Sequence, residues 1–272
     1  MNAMKKEFAT FSGTVPALYD QYMGPLFFEP YAADITSRVK EKNNYQVLEI
    51  ACGTGRVTRH LHKAMSASSK LTATDLNPGM LEVAKEALKE TNIEFRIANA
   101  QALPFDDESF DCIVCQFGLM FVPDKPTAFQ EAFRVLKRGG TLLFNTWDRI
   151  ENNPLSDTVN NAVASFFAPG NSPDFYKVPF SMHDKRELEK LMKDAGFNNI
   201  HVELVTKEGV TSAAANSAKG LIFGTPAFME ISAIDASAPE KIAAIAEKEI
   251  ARLYGDNPCK SELNAWVCEG RK

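Results

Sequence analysis

Residues 45–62 read YQVLEIACGTGRVTRHLH. Val47, Leu48 and Ile50 form a short apolar run, Ala51-Cys52-Gly53-Thr54-Gly55 follows, and Val57 and Leu61 then sit four apart. The period changes from that of a strand to that of a helix across a glycine turn. Glycines on both sides of Thr54 let the backbone bend sharply and approach a ligand closely. The helix that follows begins with N–H groups lacking an intrahelical partner. Glu49 lies inside the strand near its carboxyl end, where a carboxylate is costly unless it accepts hydrogen bonds. It is expected to fix the loop by accepting backbone amides, the alternative being a solvated acid on a half-exposed strand. A dinucleotide fingerprint needs a third glycine three residues after Gly55, and that position is Thr58. A Gly-Lys-Ser/Thr phosphate loop is also missing. The loop therefore suits a nucleoside-like ligand without a pyrophosphate.

Outward from this stretch the chain alternates. A strand over 70–75 ends at Asp75, twenty residues beyond Gly55, where a carboxylate can accept from a ribose diol. A helix over 80–88, a strand over 93–98 and a loop over 99–105 follow. The strand at 110–115 is apolar after Asp111, as expected of a parallel strand covered on both faces. Residues 117–123, with Phe121 among them, lie at its carboxyl end and are expected to line a crevice. A helix over 126–136, a turn at Gly139-Gly140 and a strand over 141–147 complete the regular part. Later come helices at 184–193 and 239–254, a strand at 199–205 and a last strand at 261–269, antiparallel beside the sixth.

The domain reading is a single unit over 15–272. Residues 15–42 form an N-terminal helical cap that Pro16, Pro25 and Pro30 divide into short pieces. From this cap Tyr19 and Tyr22 are candidates to reach a ligand. Two inserts, 148–181 and 206–237, follow strand ends and are read as a lid and substrate pocket. Phe166, Phe167, Phe175, Tyr176 and Phe180 are candidate pocket walls, with packing in the lid's own core as the alternative. Trp147, closing a central strand, is read the same way. Residues 1–14 are expected to be loosely docked.

Composition narrows the class. The chain has 272 residues and a formal net charge of -5, with no basic block for a nucleic-acid backbone. Cys52, Cys112, Cys115, Cys259 and Cys268 lie in or beside apolar runs and read as buried thiols in a reducing compartment. Cys112 and Cys115 fall in a strand, where residues three apart point to opposite faces, so no metal site is expected. No secretory leader and no bilayer-length apolar run is visible. A soluble, cytoplasmic protein is expected, and nothing in the sequence chooses between monomer and homodimer.

Four stretches carry a family resemblance: VLEIACGTGRVTRHL, LTATDLNPGML, NAQALPFDDESFDCIVCQFGLMFVPD and AFRVLKRGGTLLFNTW, beginning at Val47, Leu71, Asn99 and Ala132. Together they resemble class I S-adenosylmethionine-dependent methyltransferases, in the small-molecule group related to the ubiquinone and menaquinone biosynthesis enzymes. The resemblance implies an α/β Rossmann-like sheet of seven strands, ordered 3-2-1-4-5-7-6, with the last strand antiparallel, helices on both faces and a lid. It implies that Glu49, Ala51, Gly53 and Gly55 wrap the methionine part of S-adenosyl-L-methionine. Asp75 then binds the ribose, Leu76 packs beside the adenine, Asn99 and Ala100 meet its edge, and Gln116 meets the amino group. Relatives usually carry aspartate where this chain has Asn99, though an amide carbonyl also accepts hydrogen bonds.

The implied activity is in-line methyl transfer to a small, apolar or aromatic acceptor, leaving S-adenosyl-L-homocysteine. Such a displacement requires alignment first, and a base only if the acceptor must lose a proton. His183, between the aromatic insert and the next helix, is the candidate base. Arg56 is read either as a partner for a carboxylate or as an ordinary helix-start residue. The alternatives are a noncatalytic protein that binds the same cofactor and a nicotinamide-dependent oxidoreductase. Thr58 argues against the second.

Overall fold

A computed structural model describes residues 15–40 and 42–272. The loose docking expected of residues 1–14 concerns a segment outside the described residues. The chain opens with α1 (Val15–Leu18), a π-helical stretch (Tyr19–Phe28) and α2 (Glu29–Ser37). The expected division at the prolines does not occur. Pro25 lies inside the π stretch, and the Glu29 N–H bonds the Gly24 carbonyl five residues back. The helix winds wider past the proline instead of breaking.

Seven strands follow: β1 (Gln46–Ile50), β2 (Lys70–Asp75), β3 (Glu94–Ile97), β4 (Phe110–Gln116), β5 (Leu136–Trp147), β6 (Asn198–Thr211) and β7 (Cys259–Arg271). They form one sheet ordered β3-β2-β1-β4-β5-β7-β6. The first five pair in parallel, and β7 runs antiparallel between β5 and β6. The helices are α3 (Arg56–Ala64), α4 (Pro78–Ala87), α5 (Lys125–Val135), α6 (Pro154–Phe166), α7 (Lys185–Asp194), α8 (Ala214–Phe223), α9 (Ala227–Ile234) and α10 (Ala238–Tyr254). No helix among the described residues is long and apolar enough to cross a membrane.

Both faces of the central strands are buried, which explains their continuous apolar runs. On one face Val47, Cys112 and Val114 pack with Ala32 and Ile35 of α2 and Val57 and Leu61 of α3. On the other, Leu48, Ile113, Cys115 and Phe144 pack with Phe129 of α5 and with residues of both inserts. Cys112 and Cys115 thus sit on opposite faces. β7 shows the alternation of an antiparallel strand, with Ser261, Leu263, Ala265 and Val267 buried.

Two further boundaries differ from expectation. Gly139 and Gly140 lie within β5, where the pairing with β4 shifts register after Phe110. Gly139 has φ +76 and donates to the Lys272 carbonyl at 2.9 Å, so the glycines make a bulge and not a turn. The insert read over 206–237 begins too early. Residues 206–211 continue β6 and pair with β7. Lys207 and Glu208 at this sheet edge carry no apolar alternation, so only the partner strand defines it. A side chain on Gly209 would meet the Leu26 carbonyl at 2.8 Å, which lets the N-terminal cap lie against this edge.

Tyr31 anchors that cap. It is fully buried, and its hydroxyl lies 2.8 Å from the carbonyls of both Val205 and Leu263. Asp34 adds contacts to Arg38 at 2.7 Å and Lys207 at 2.8 Å. Tyr31→Phe removes the donor and leaves both strand carbonyls facing an apolar ring. It is expected to lower stability by about 1–3 kcal/mol, read as a lower urea midpoint with an unchanged m-value.

Candidate functional site

The carboxyl ends of β1, β2 and β4 open into one cavity of about 430 Å³. After β1 the chain turns through Ala51 (φ +54), Gly53 (φ +56) and Gly55 (φ +82) before α3. Asp75 closes β2. Its Oδ2 accepts the Gly53 amide at 2.9 Å and its Oδ1 the Asn77 amide at 2.8 Å. Burial pushes the Asp75 pKa up while these backbone donors pull it down. The Asn77 side chain then caps α4 by accepting from Gly79 and Met80. The sequence spacing and the turn chemistry thus place one carboxylate between two loops, each of its oxygens holding one amide.

Seven of the nine residues expected at a cofactor line this cavity: Ala51, Gly53, Asp75, Leu76, Asn99, Ala100 and Gln116. Glu49 and Gly55 do not. Gly55 turns toward α4, where a side chain on it would meet Ala84 and Leu88 at 3.2 Å. Glu49 is 2% exposed beside Thr58, and its Oε2 has no protein partner. Of the amides it was expected to accept, the Thr58 amide reaches it, whereas the Gly53 amide goes to Asp75. Asn99 Oδ1 accepts the Gln101 amide at 2.9 Å. Gln116 Nε2 donates to the Phe28 carbonyl at 3.1 Å, and its buried Oε1 has no protein partner.

A second, tighter pocket of about 50 Å³ adjoins the first and shares Tyr19, Phe117 and Phe121 with it. Phe117 and Trp147 stack face to face, with centroids 3.8 Å apart and planes at 6°. Phe27, Tyr31 and Phe180 pack around the same indole. Of the expected pocket residues, Phe121, Trp147, Phe175, Tyr176 and Phe180 line this space. Tyr22, Phe166 and Phe167 do not. Tyr22 lies against Gly220 of α8, and Phe166 and Phe167 pack edge to face on each other at the margin of the core. Walls come from the cap, from the 148–181 insert and, through Leu221 and Thr225, from the second insert.

His183 is not at this pocket. Its Nδ1 donates to the Phe180 carbonyl at 2.7 Å, and it lines a separate polar groove. Its neighbours in the chain are pocket residues, but the turn at 180–183 carries the ring to the other side.

Sequence reasoning missed what holds the cap over the loop. Asp20 accepts from the Thr54 hydroxyl at 2.8 Å and pairs with Arg56 at 3.1 Å. Glu29 pairs with Arg56 at 3.0 Å and His60 at 2.7 Å. Arg56 therefore binds carboxylates of its own chain. A side chain on Gly24 would come within 2.0 Å of its Nε, so the glycine makes the space. The separation of about thirty residues leaves no local pattern for these pairs. A glycine and two acids around Pro25 were the one available signal.

Burial, reinforced by the Asp75 charge and opposed by Thr58, raises the Glu49 pKa from 4.5 to about 8. A carboxyl raised in this way contributes stability that is complete below about pH 4.5 and lost as the pH climbs toward 8. Glu49→Gln is expected to remove that slope. Between pH 5 and pH 8 its stability should gain several kcal/mol relative to the unsubstituted protein, at about 1.4 kcal/mol per unit. Urea unfolding at both pH values tests this, and equal slopes would show that the buried carboxyl ionises without cost.

Comparison with known proteins agrees with this architecture. The profile of the ubiE/COQ5 methyltransferase family matches residues 27–217. The ubiquinone/menaquinone biosynthesis C-methyltransferase UbiE of Cronobacter sakazakii is 34% identical over 174 residues, 59% of this chain and 69% of that protein. The Klebsiella pneumoniae enzyme of the same name is 35% identical over 168 residues, 57% of this chain and 66% of that protein. The chain thus matches about two thirds of these relatives' length. Among solved structures, the YcgJ protein from Bacillus subtilis superposes with a TM-score of 0.60 at 19% identity, covering 89% of this chain and 98% of that one. A phosphoethanolamine N-methyltransferase 2 from Haemonchus contortus, solved with S-adenosyl-L-methionine, gives 0.60 at 18% identity, covering 96% of this chain and 57% of that one. The sheet order, the glycine loop and the family match lead to one conclusion: the chain belongs to the ubiE/COQ5 methyltransferase family, as an S-adenosylmethionine-dependent enzyme that methylates a small organic acceptor.

Proposed function

We propose that the larger cavity holds S-adenosylmethionine and that the adjoining aromatic pocket seats an apolar or aromatic acceptor. The observation that carries this reading is Asp75, fixed by two backbone amides at the cavity wall. Each of its oxygens keeps a lone pair for a ribose hydroxyl. Leu76, Met80 and Val122 supply apolar walls for a base, with Asn99 and Ala100 at its edge. Ala51 and Gly53 leave room for the methionyl chain. Gln116 Oε1, a buried acceptor with no protein partner, suits the cofactor's ammonium. The bound cofactor supplies an activated methyl on a sulfonium.

The protein's part is then alignment and exclusion of water. Phe117, Trp147 and the rings around them favour an acceptor with an aromatic face. The described walls of the inner pocket include no carboxylate, imidazole or amine. The Tyr176 hydroxyl donates to the Leu221 carbonyl, and burial raises its pKa further. This supports an acceptor that attacks without a dedicated protein base, and it removes His183 from that role. The two inserts act as the lid of this pocket. Five buried thiols among the described residues support a reducing compartment such as the cytoplasm.

Calorimetric titration with S-adenosylmethionine and S-adenosylhomocysteine tests the cavity. Asp75→Ala is expected to weaken binding about 100-fold, since it removes charge-assisted hydrogen bonds and frees the loop. Asn99→Asp is expected to tighten it about fivefold. The present carbonyl already holds the Gln101 amide, and a second carboxylate oxygen would accept from an exocyclic amine where the amide nitrogen now sits. No saturable binding by a folded sample would refute the assignment. Methyl-mass gain on a panel of phenols, naphthols and quinols would then identify the acceptor class.

A further inference from the structure

We propose that the acceptor reaches the aromatic pocket through its own polar groove on the lid side, and that this groove holds a neutral, hydrogen-bonding end of the acceptor. The proposal rests on the assignment of the two pockets above. The groove has a volume of about 670 Å³ and lies between the 3-10 turn Ile150–Asn152, α6 and residues 170–183. It shares no lining residue with the cofactor cavity, but it shares Tyr176 and Phe180 with the aromatic pocket. That pocket in turn shares Tyr19, Phe117 and Phe121 with the cofactor cavity. The three spaces therefore lie in series.

This order is what an in-line displacement needs. The attacking atom and the sulfonium sulfur must stand on opposite sides of the methyl. An acceptor entering by the cofactor's mouth would have to pass the bound cofactor to reach that side. The partition between groove and pocket is made of side chains. Tyr176 is tied by its hydroxyl to Leu221, whereas the Phe180 ring packs on Trp147 with no hydrogen bond of its own to hold it. The inner pocket, at about 50 Å³, must open for any ring to enter.

The groove's charges set the chemistry of the outer end. Arg149, Lys177, Glu151 and Asp174 line it, and Lys177 pairs with Asp174 at 2.7 Å. These four leave no net charge, so an ionic substituent gains little. His183, with Nδ1 donated to the Phe180 carbonyl, keeps Nε2 for a partner. A hydroxyl far from the methylated atom, donating to this nitrogen, fits this wall.

The test uses 2-naphthol as probe, followed by its own emission. The five cysteines are buried, so Ala164→Cys, at the exposed rim of the groove on α6, can be labelled selectively with a bulky maleimide. The label is expected to slow 2-naphthol uptake at least tenfold and to leave S-adenosylhomocysteine affinity within twofold. The same label at Ala244→Cys on the exposed face of α10 should change neither. Unlabelled protein saturated with S-adenosylhomocysteine should take up 2-naphthol at an unchanged rate. A 6-hydroxyl on the probe should tighten binding about threefold, and a 6-carboxylate should not. Uptake blocked by S-adenosylhomocysteine, uptake indifferent to the Ala164 label, a preference for the carboxylate, or no saturable 2-naphthol binding would each overturn the proposal. Failure of S-adenosylhomocysteine itself to bind would instead strike the cofactor assignment.

Discussion

The site depends on one carboxylate at the cavity wall. Asp75 holds the Gly53 amide with one oxygen and the Asn77 amide with the other. It thereby ties the loop after β1, the end of β2 and the start of α4 into one rigid corner. Its backbone donors oppose the desolvation that pushes its pKa up. Glu49 lies close enough to add repulsion, and its raised pKa follows from the same crowding. A protonated Glu49 removes that repulsion from Asp75, on the cavity wall, where a ligand hydroxyl can meet it.

The cap over this corner is held by partly exposed ion pairs. Such pairs contribute little singly, about 0–1 kcal/mol each. Their effect here is positional. Asp20 and Glu29 draw the π-helical stretch onto Thr54, Arg56 and His60, while Tyr31 fastens α2 to β6 and β7. Between the two anchors Phe27 and Phe28 are delivered against Trp147. The apolar contacts of these rings carry the larger energy, at roughly 1.5–3 kcal/mol for each large side chain removed from water.

The central sheet was legible because its signals are local. Apolar runs, the glycine turn and the acid closing β2 each occupy fewer than ten residues. The antiparallel β7 was legible from its alternation. Other features depend on pairing between distant segments. Residues 206–211 are polar on an edge, so only the backbone of β7 makes them a strand. Pro25 signals a break, yet the cap's anchors at both ends hold a wider helix through it. Gly139 and Gly140 signal a turn, yet the chain terminus pairs with them and makes a bulge. At the site, Asp75 was read from its spacing and Asn99 from the family resemblance, and both line the cavity, whereas Glu49 and Gly55 serve the corner from behind. His183 shows why proximity in sequence is weak evidence: one short turn separates it from the pocket its neighbours line.

The boundary between the two pockets is built on strained backbone. Ala51 follows β1 at φ +54 and Phe117 follows β4 at φ +50, a conformation costing about 1–2 kcal/mol for each non-glycine residue. Asn145 holds the second turn, since its side-chain oxygen accepts the Phe117 amide at 3.0 Å. Gly118 lets the two strand ends meet, because a side chain there would fall 2.4 Å from the Ala51 Cβ. The turn directs the Phe117 ring onto Trp147 and not out to solvent. Phe117 lines both cavities, whereas Trp147 lines only the smaller one. The strained turn therefore fixes the wall that the two cavities share.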